Sequence, residues 1–138
     1  MANETLLHRW FDEVWNQGRE SSIGELMADD AIFHGIVDYG SNEVRGQDGF
    51  RTYYKELRAT FPDIHFTVED AVSEGDRIAV RCVVTATHTG PGFTPTPTRQ
   101  PISVTGMVFA RTHDGKLVEG WNNFDFLALY QQLGVKLT

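Results

Sequence analysis

Apolar residues repeat with one period before Pro62 and with another after it, and no other feature of the chain restricts its fold as strongly. Upstream, Leu6, Leu7, Trp10, Phe11, Val14 and Trp15 form a stripe at helical spacing, as do Phe50, Tyr53, Tyr54, Leu57 and Phe61. Asn3 suits the N-cap of the first helix and Gly18 its stop, while the other helix starts near Gln47 and ends at Pro62. Between them, Ser22 and Glu25 have capping-box spacing for a short helix ending near Met27. Ala31 to Val37 then reads as a strand, followed by the turn-rich Tyr39-Gly40-Ser41-Asn42. Downstream of Pro62 alternate residues are apolar: Ile64, Phe66 and Val68, then Ile78, Val80, Cys82, Val84 and Ala86. Ile102 to Arg111 and Leu117 to about Asp125 read as two further strands around a turn at His113-Asp114-Gly115-Lys116, with a helix turn from Leu127 to Leu133. Helices first and consecutive antiparallel strands afterwards predict an α+β fold, one domain over residues 1–138.

Charge and motif content narrow the function. With 12 basic and 19 acidic residues the net charge is −7. Such a surface lacks the cationic footprint that nucleic acid requires, and anionic membranes repel it, so neither is expected as a partner. The single Cys82 excludes an internal disulfide and a cysteine-based zinc site. The start MANETLLHRW lacks the basic and apolar regions of a signal peptide, so a cytoplasmic location is expected. No phosphate loop, dinucleotide fingerprint or nucleophile elbow is present, and no cofactor is expected. His34, His88 and Asp125 lack the close spacing of metal ligands, and no metal is expected either.

Helices laid on a curved meander often enclose a pocket, and several polar residues share strand faces with apolar ones. Parity puts His88 with Ile78, Val80, Cys82 and Val84, Asn122 with Val118 and Phe124, and Val108 with Ile102 and Val104. His88 and His34 could therefore move protons in a pocket, or could be a core histidine satisfied by backbone and a half-exposed strand residue. Asp125 immediately precedes a short helix, where Asp is a preferred N-cap; the alternatives are capping and catalysis.

Several runs resemble the SnoaL-like polyketide cyclase (ester cyclase) family. They include Trp15-Asn16-Gln17-Gly18, Val44-Arg45-Gly46, Phe61-Pro62-Asp63 and Thr87-His88-Thr89-Gly90. Gly115-Lys116-Leu117-Val118-Glu119-Gly120-Trp121-Asn122 and Tyr130-Gln131-Gln132-Leu133-Gly134 fit the same order and spacing. The resemblance implies a cone of the nuclear transport factor 2 type, a curved antiparallel sheet with three N-terminal helices around a deep pocket, commonly as a homodimer. It also implies cofactor-free, metal-free ring closure by intramolecular aldol chemistry. The family's acid/base Asp position falls on Asn122 and its partner His on Val108, so this chain carries neither ionisable group there.

The expectation is thus a lyase or isomerase that transfers a proton next to the carbonyl of a small apolar substrate. His88 is the expected proton carrier, oriented by Asp125 or His34, with Asn122 bonding the carbonyl oxygen. The expected substrate walls are Trp15, Phe50, Tyr53, Val108, Trp121 and Asn122. The rivals are a non-catalytic pocket for a small apolar ligand and a hydrolase, which would need two carboxylates where only Asp125 is placed.

Overall fold

Thr5 and His8 start the first helix with a reciprocal capping box: the Thr5 side chain accepts the His8 amide, and the His8 ring accepts the Thr5 amide at 3.0 Å. The computed structural model describes residues 4–36 and 43–136, so the Asn3 cap and the turn at 39–42 lie outside the described residues. Helix α1 (Leu6–Arg9) widens into a π-helical segment, Trp10–Asn16, marked by the five-residue bond from Gln17 N–H to the Asp12 carbonyl at 2.8 Å. Trp10 and Trp15 are both buried, and each ring meets Phe50.

Helix α2 is Ser21–Leu26. The capping box expected at Ser22 and Glu25 does not form, because the Ser22 hydroxyl donates instead to Glu13 at 2.8 Å and ties α2 to the π-helical segment. Strands β1 (Met27–His34) and β2 (Glu43–Arg45) precede helix α3 (Gly46–Thr60), and β3 (His65–Glu74), β4 (Arg77–Thr87), β5 (Pro101–His113) and β6 (Lys116–Phe124) follow it. Helix α4 (Phe126–Gln132) is the last described element.

The strands form one curved sheet in the order β2-β1-β6-β5-β4-β3. It is mixed rather than antiparallel throughout: β1 runs parallel to β6, and every other neighbouring pair is antiparallel. No hairpin joins β1 to β6, so nothing in the local chain forces their direction. Register shifts between Val68 and Asp70 in β3 and between Arg111 and Thr112 in β5 add to the bending. On β4 and β5 alternate residues are buried beneath the helices, including Val80, Cys82, Val84, Val104 and Val108. Burial pushes the Cys82 thiol up to about 11, which suits an inert core residue.

Two glycines let β6 approach its neighbours. A Cβ on Gly106 would sit 2.2 Å from the Phe124 ring, so β5 leaves a notch that this ring fills. Gly35 has φ +80°, and a Cβ there would lie 2.0 Å from the Asn122 carbonyl oxygen.

Candidate functional site

Between the concave sheet face and the helices lies a cavity of about 40 Å³. Its buried floor includes Trp10, Phe11, Trp15, Phe33, Phe50 and Phe66 with Val108, Ala110 and Leu117. The partly exposed lining residues, Ile36, Tyr53, Asn122 and Phe124, form its mouth. The floor is a lattice of aromatic contacts: Trp10 meets Phe33 edge-on at 5.5 Å, Phe50 lies 4.9 Å from Trp10, and Phe11 stacks on Phe66 at 4.8 Å. Pockets for ordinary small molecules run to roughly 300–1,000 Å³, so a ligand of more than a few atoms must displace side chains at the mouth.

Polar groups in this lining are few. The Tyr53 hydroxyl has no hydrogen-bond partner among the described residues, and burial holds its pKa well above the ordinary phenol value. Asn122 donates one side-chain N–H to the His34 carbonyl at 2.9 Å. Directly across the sheet from Asn122 sits Val108. Among the described residues no carboxylate and no imidazole lines the cavity. The arrangement can therefore donate hydrogen bonds to a bound oxygen, while among the described lining residues Tyr53 alone is titratable and is a poor base at neutral pH.

The structure brings together five of the residues expected from sequence, Trp15, Phe50, Tyr53, Val108 and Asn122, and sends four elsewhere. His88 does face inward, as parity predicts, but just beyond the end of β4 and away from the cavity lining. Its Nδ1 accepts the Thr98 amide at 3.2 Å, and its Nε2 lies 2.8 Å from the Gly92 carbonyl. A carbonyl can only accept, so the proton is on Nε2, and both ring nitrogens are spent on holding the proline-rich loop. His88 is fully buried and packs on Phe61 at 5.6 Å.

Asp125 is exposed and caps α4, accepting the Ala128 amide at 2.9 Å. It neither reaches His88 nor lines the cavity, so the two-carboxylate arrangement of a hydrolase is absent from the described lining. His34 points to the outer face of the sheet because its neighbour Phe33 takes the inward position. There its Nε2 meets Glu119 at 2.8 Å, its Nδ1 lies 3.6 Å from Glu43, and its ring stacks on Trp121 at 5.5 Å. Hydrogen bonding from His34, helped by Arg111, lowers the Glu119 pKa below the usual carboxylate range. Trp121 shares that outer face, one residue out of phase with Asn122, and so is not a cavity wall.

Among lining residues that sequence reasoning did not nominate, Trp10, Phe11 and Phe33 sit in apolar runs that read equally well as plain core. Phe124 had a signal, since it shares a strand face with Asn122. Among the described residues no group of three metal-ligating side chains comes together. No helix there is long and apolar enough to cross a membrane.

Comparison with solved structures places this geometry in context. IdmH, a candidate polyketide cyclase from Streptomyces antibioticus, superposes with a TM-score of 0.81 at 32% identity, over 94% of this chain and 96% of its own. AclR, a candidate hydroxylase from Streptomyces galilaeus, gives a TM-score of 0.77 at 28% identity over 94% and 98% of the two chains. A protein of ketosteroid isomerase-like fold from Catenulispora acidiphila, crystallised with trimethylamine, gives 0.78 at 18% identity over 98% and 96%, which speaks to fold alone. No curated protein matches the chain. Residues 5–133 match the SnoaL-like polyketide cyclase family, and the chain belongs to that family.

Proposed function

We propose that the chain is a cofactor-free, cyclase-type enzyme of the lyase or isomerase kind, acting on a small, largely apolar carbonyl compound. One observation carries this reading: an aromatic-walled cavity whose mouth holds a phenol with no partner among the described residues. In this mechanism the Tyr53 hydroxyl donates to the substrate carbonyl oxygen and stabilises the negative charge that develops there on enolisation. The aromatic floor folds the chain of the substrate so that the enol carbon meets its second carbonyl. With no carboxylate or imidazole among the described lining residues, the Cα proton passes to water or to an oxygen of the substrate itself rather than to His88 or Asp125.

The test uses acetophenone as a minimal carbonyl probe. Its methyl protons should exchange for deuterium faster with the protein than without it, and Tyr53→Phe should cut that acceleration by about a hundredfold. Unaccelerated exchange of bound acetophenone would select the second reading, a non-catalytic ligand pocket. Val108 facing Asn122 favours that rival, because neither can take a proton at neutral pH.

We propose in addition that the outer sheet face seats a second copy of the chain. Met107 is 56% exposed there, and Phe109 meets Trp121 edge-on at 5.8 Å. Arg111 and Glu119 flank these rings and give the face charges of both signs, as a self-complementary interface needs. Sedimentation at micromolar concentration should give twice the 15.6 kDa of one chain, and Phe109→Glu should restore the single-chain mass.

A further inference from the structure

The mouth of the cavity holds one polar atom that the proposed chemistry leaves unused. Asn122 donates to the His34 carbonyl at 2.9 Å, and that bond fixes which way round its amide lies. Turning the amide over would press its oxygen against the carbonyl oxygen, acceptor against acceptor. The Asn122 Oδ1 has no partner among the described residues. No fully buried side-chain oxygen or nitrogen there lacks a hydrogen bond, so this oxygen, on a residue that lines the cavity, is not sealed from solvent. Val108, the residue across from it, offers only methyl groups, and Tyr53 makes no hydrogen bond to it.

We propose that Asn122 Oδ1 is a specificity-determining acceptor that selects ligands with an O–H donor near the carbonyl, the β-hydroxycarbonyl and enol class, over plain ketones. This rests on the cavity being the ligand site. A ligand that closes the mouth without a donor buries this acceptor unsatisfied, and sites with such a group discriminate strongly against the analogue that cannot pair with it. Among the described residues the mouth thus presents a donor, the Tyr53 hydroxyl, and an acceptor, the Asn122 oxygen, to two different oxygens of one ligand.

Three probes with the same carbon skeleton separate the inference from the reading beneath it: ethylbenzene, acetophenone and 1-phenylethanol. Binding is followed by the fluorescence of Trp10 and Trp15, which line the cavity. In the unmodified protein 1-phenylethanol should bind about fivefold tighter than acetophenone, the ratio one net hydrogen bond gives. In Asn122→Leu that preference should vanish while ethylbenzene affinity stays within about twofold. The wild-type protein supplies an independent readout should Asn122→Leu not fold. The ¹⁵N signal of the Asn122 side-chain amide should shift with 1-phenylethanol and stay still with ethylbenzene. Equal affinity for the alcohol and the ketone, or a preference that survives Asn122→Leu, overturns the inference while ethylbenzene binding still upholds the cavity as a ligand site. Failure of all three probes to bind overturns both.

Discussion

Replacing His88 by alanine separates a structural histidine from a catalytic one, and the structure sets the size of the effect. The ring is fully buried and makes three hydrogen bonds: Nε2 donates to the Gly92 carbonyl at 2.8 Å, and Nδ1 accepts from the Thr98 amide at 3.2 Å and the Thr98 hydroxyl at 3.0 Å. Alanine leaves that carbonyl and that amide without their partner, at roughly 1–3 kcal/mol for each group that water cannot reach. It also removes the packing against Phe61. Taking the low end for both groups and adding a part-collapsed void gives a loss of about 3 kcal/mol. Unfolding entropy for a chain of 138 residues is about 0.3 kcal/mol per kelvin, so the melting temperature should fall by about 10 °C. Calorimetry measures this, and hydrogen exchange should show the Thr98 amide losing protection first. Turnover per folded molecule should change little, because the cavity lining lies elsewhere. A variant that melts like the wild type yet loses a hundredfold or more in rate would refute the reasoning and return His88 to the chemistry.

Three further outcomes follow from other contacts. Gly106→Ala puts a methyl 2.2 Å from the Phe124 ring, so urea titration should show a loss of about 1–3 kcal/mol, with weaker probe binding as the ring is pushed into the mouth. Asp125→Ala should lose about 1 kcal/mol of stability by removing the α4 cap, whereas Asp125→Ser, which can still cap, should match the wild type in both melting and rate. Glu119 has its pKa depressed in the folded state, so its stabilisation is full above the unfolded value of about 4.3 and is lost as pH falls through the folded one. Glu119→Gln should therefore flatten the stability curve below the unfolded value of about 4.3, and an unchanged curve would mean that the bond to His34 contributes nothing.

The switch of period at Pro62 was enough to separate the helical half from the strand half, because helices and strands repeat too differently to be confused over such lengths. Inward parity was legible for Val108 and Asn122, which the register pairs directly. It failed where alternation was missing or broken. Ala31-Ile32-Phe33-His34 is apolar at three successive positions, so nothing in the run shows that Phe33 takes the inside and His34 the outside. On β6 both Leu117 and Gly120 are buried, an odd separation that puts Val118 out of phase with Asn122. Parity also says nothing of depth: His88 shares a face with Val80 and Val84 but sits past the cavity, since β4 and β5 are longer than the site they support. Strand β2 has three residues, too few to show a period. The parallel partnership of β1 and β6 depends on contacts remote in sequence, which no local pattern records.

That partnership governs when the cavity can come into being. The bond that orients Asn122 joins residues 88 positions apart, and the strand carrying Asn122 ends at Phe124. A chain emerging from the ribosome delivers the aromatic stripe of Trp10, Phe11 and Trp15 long before the strand that covers one side of it. Until residue 124 is clear of the exit tunnel these rings have no finished sheet to lie against, and chain closure over such a distance is slow. The interval exposes an apolar surface that invites premature association. Addition of β6, rather than formation of the helices, is then the event that completes the cavity.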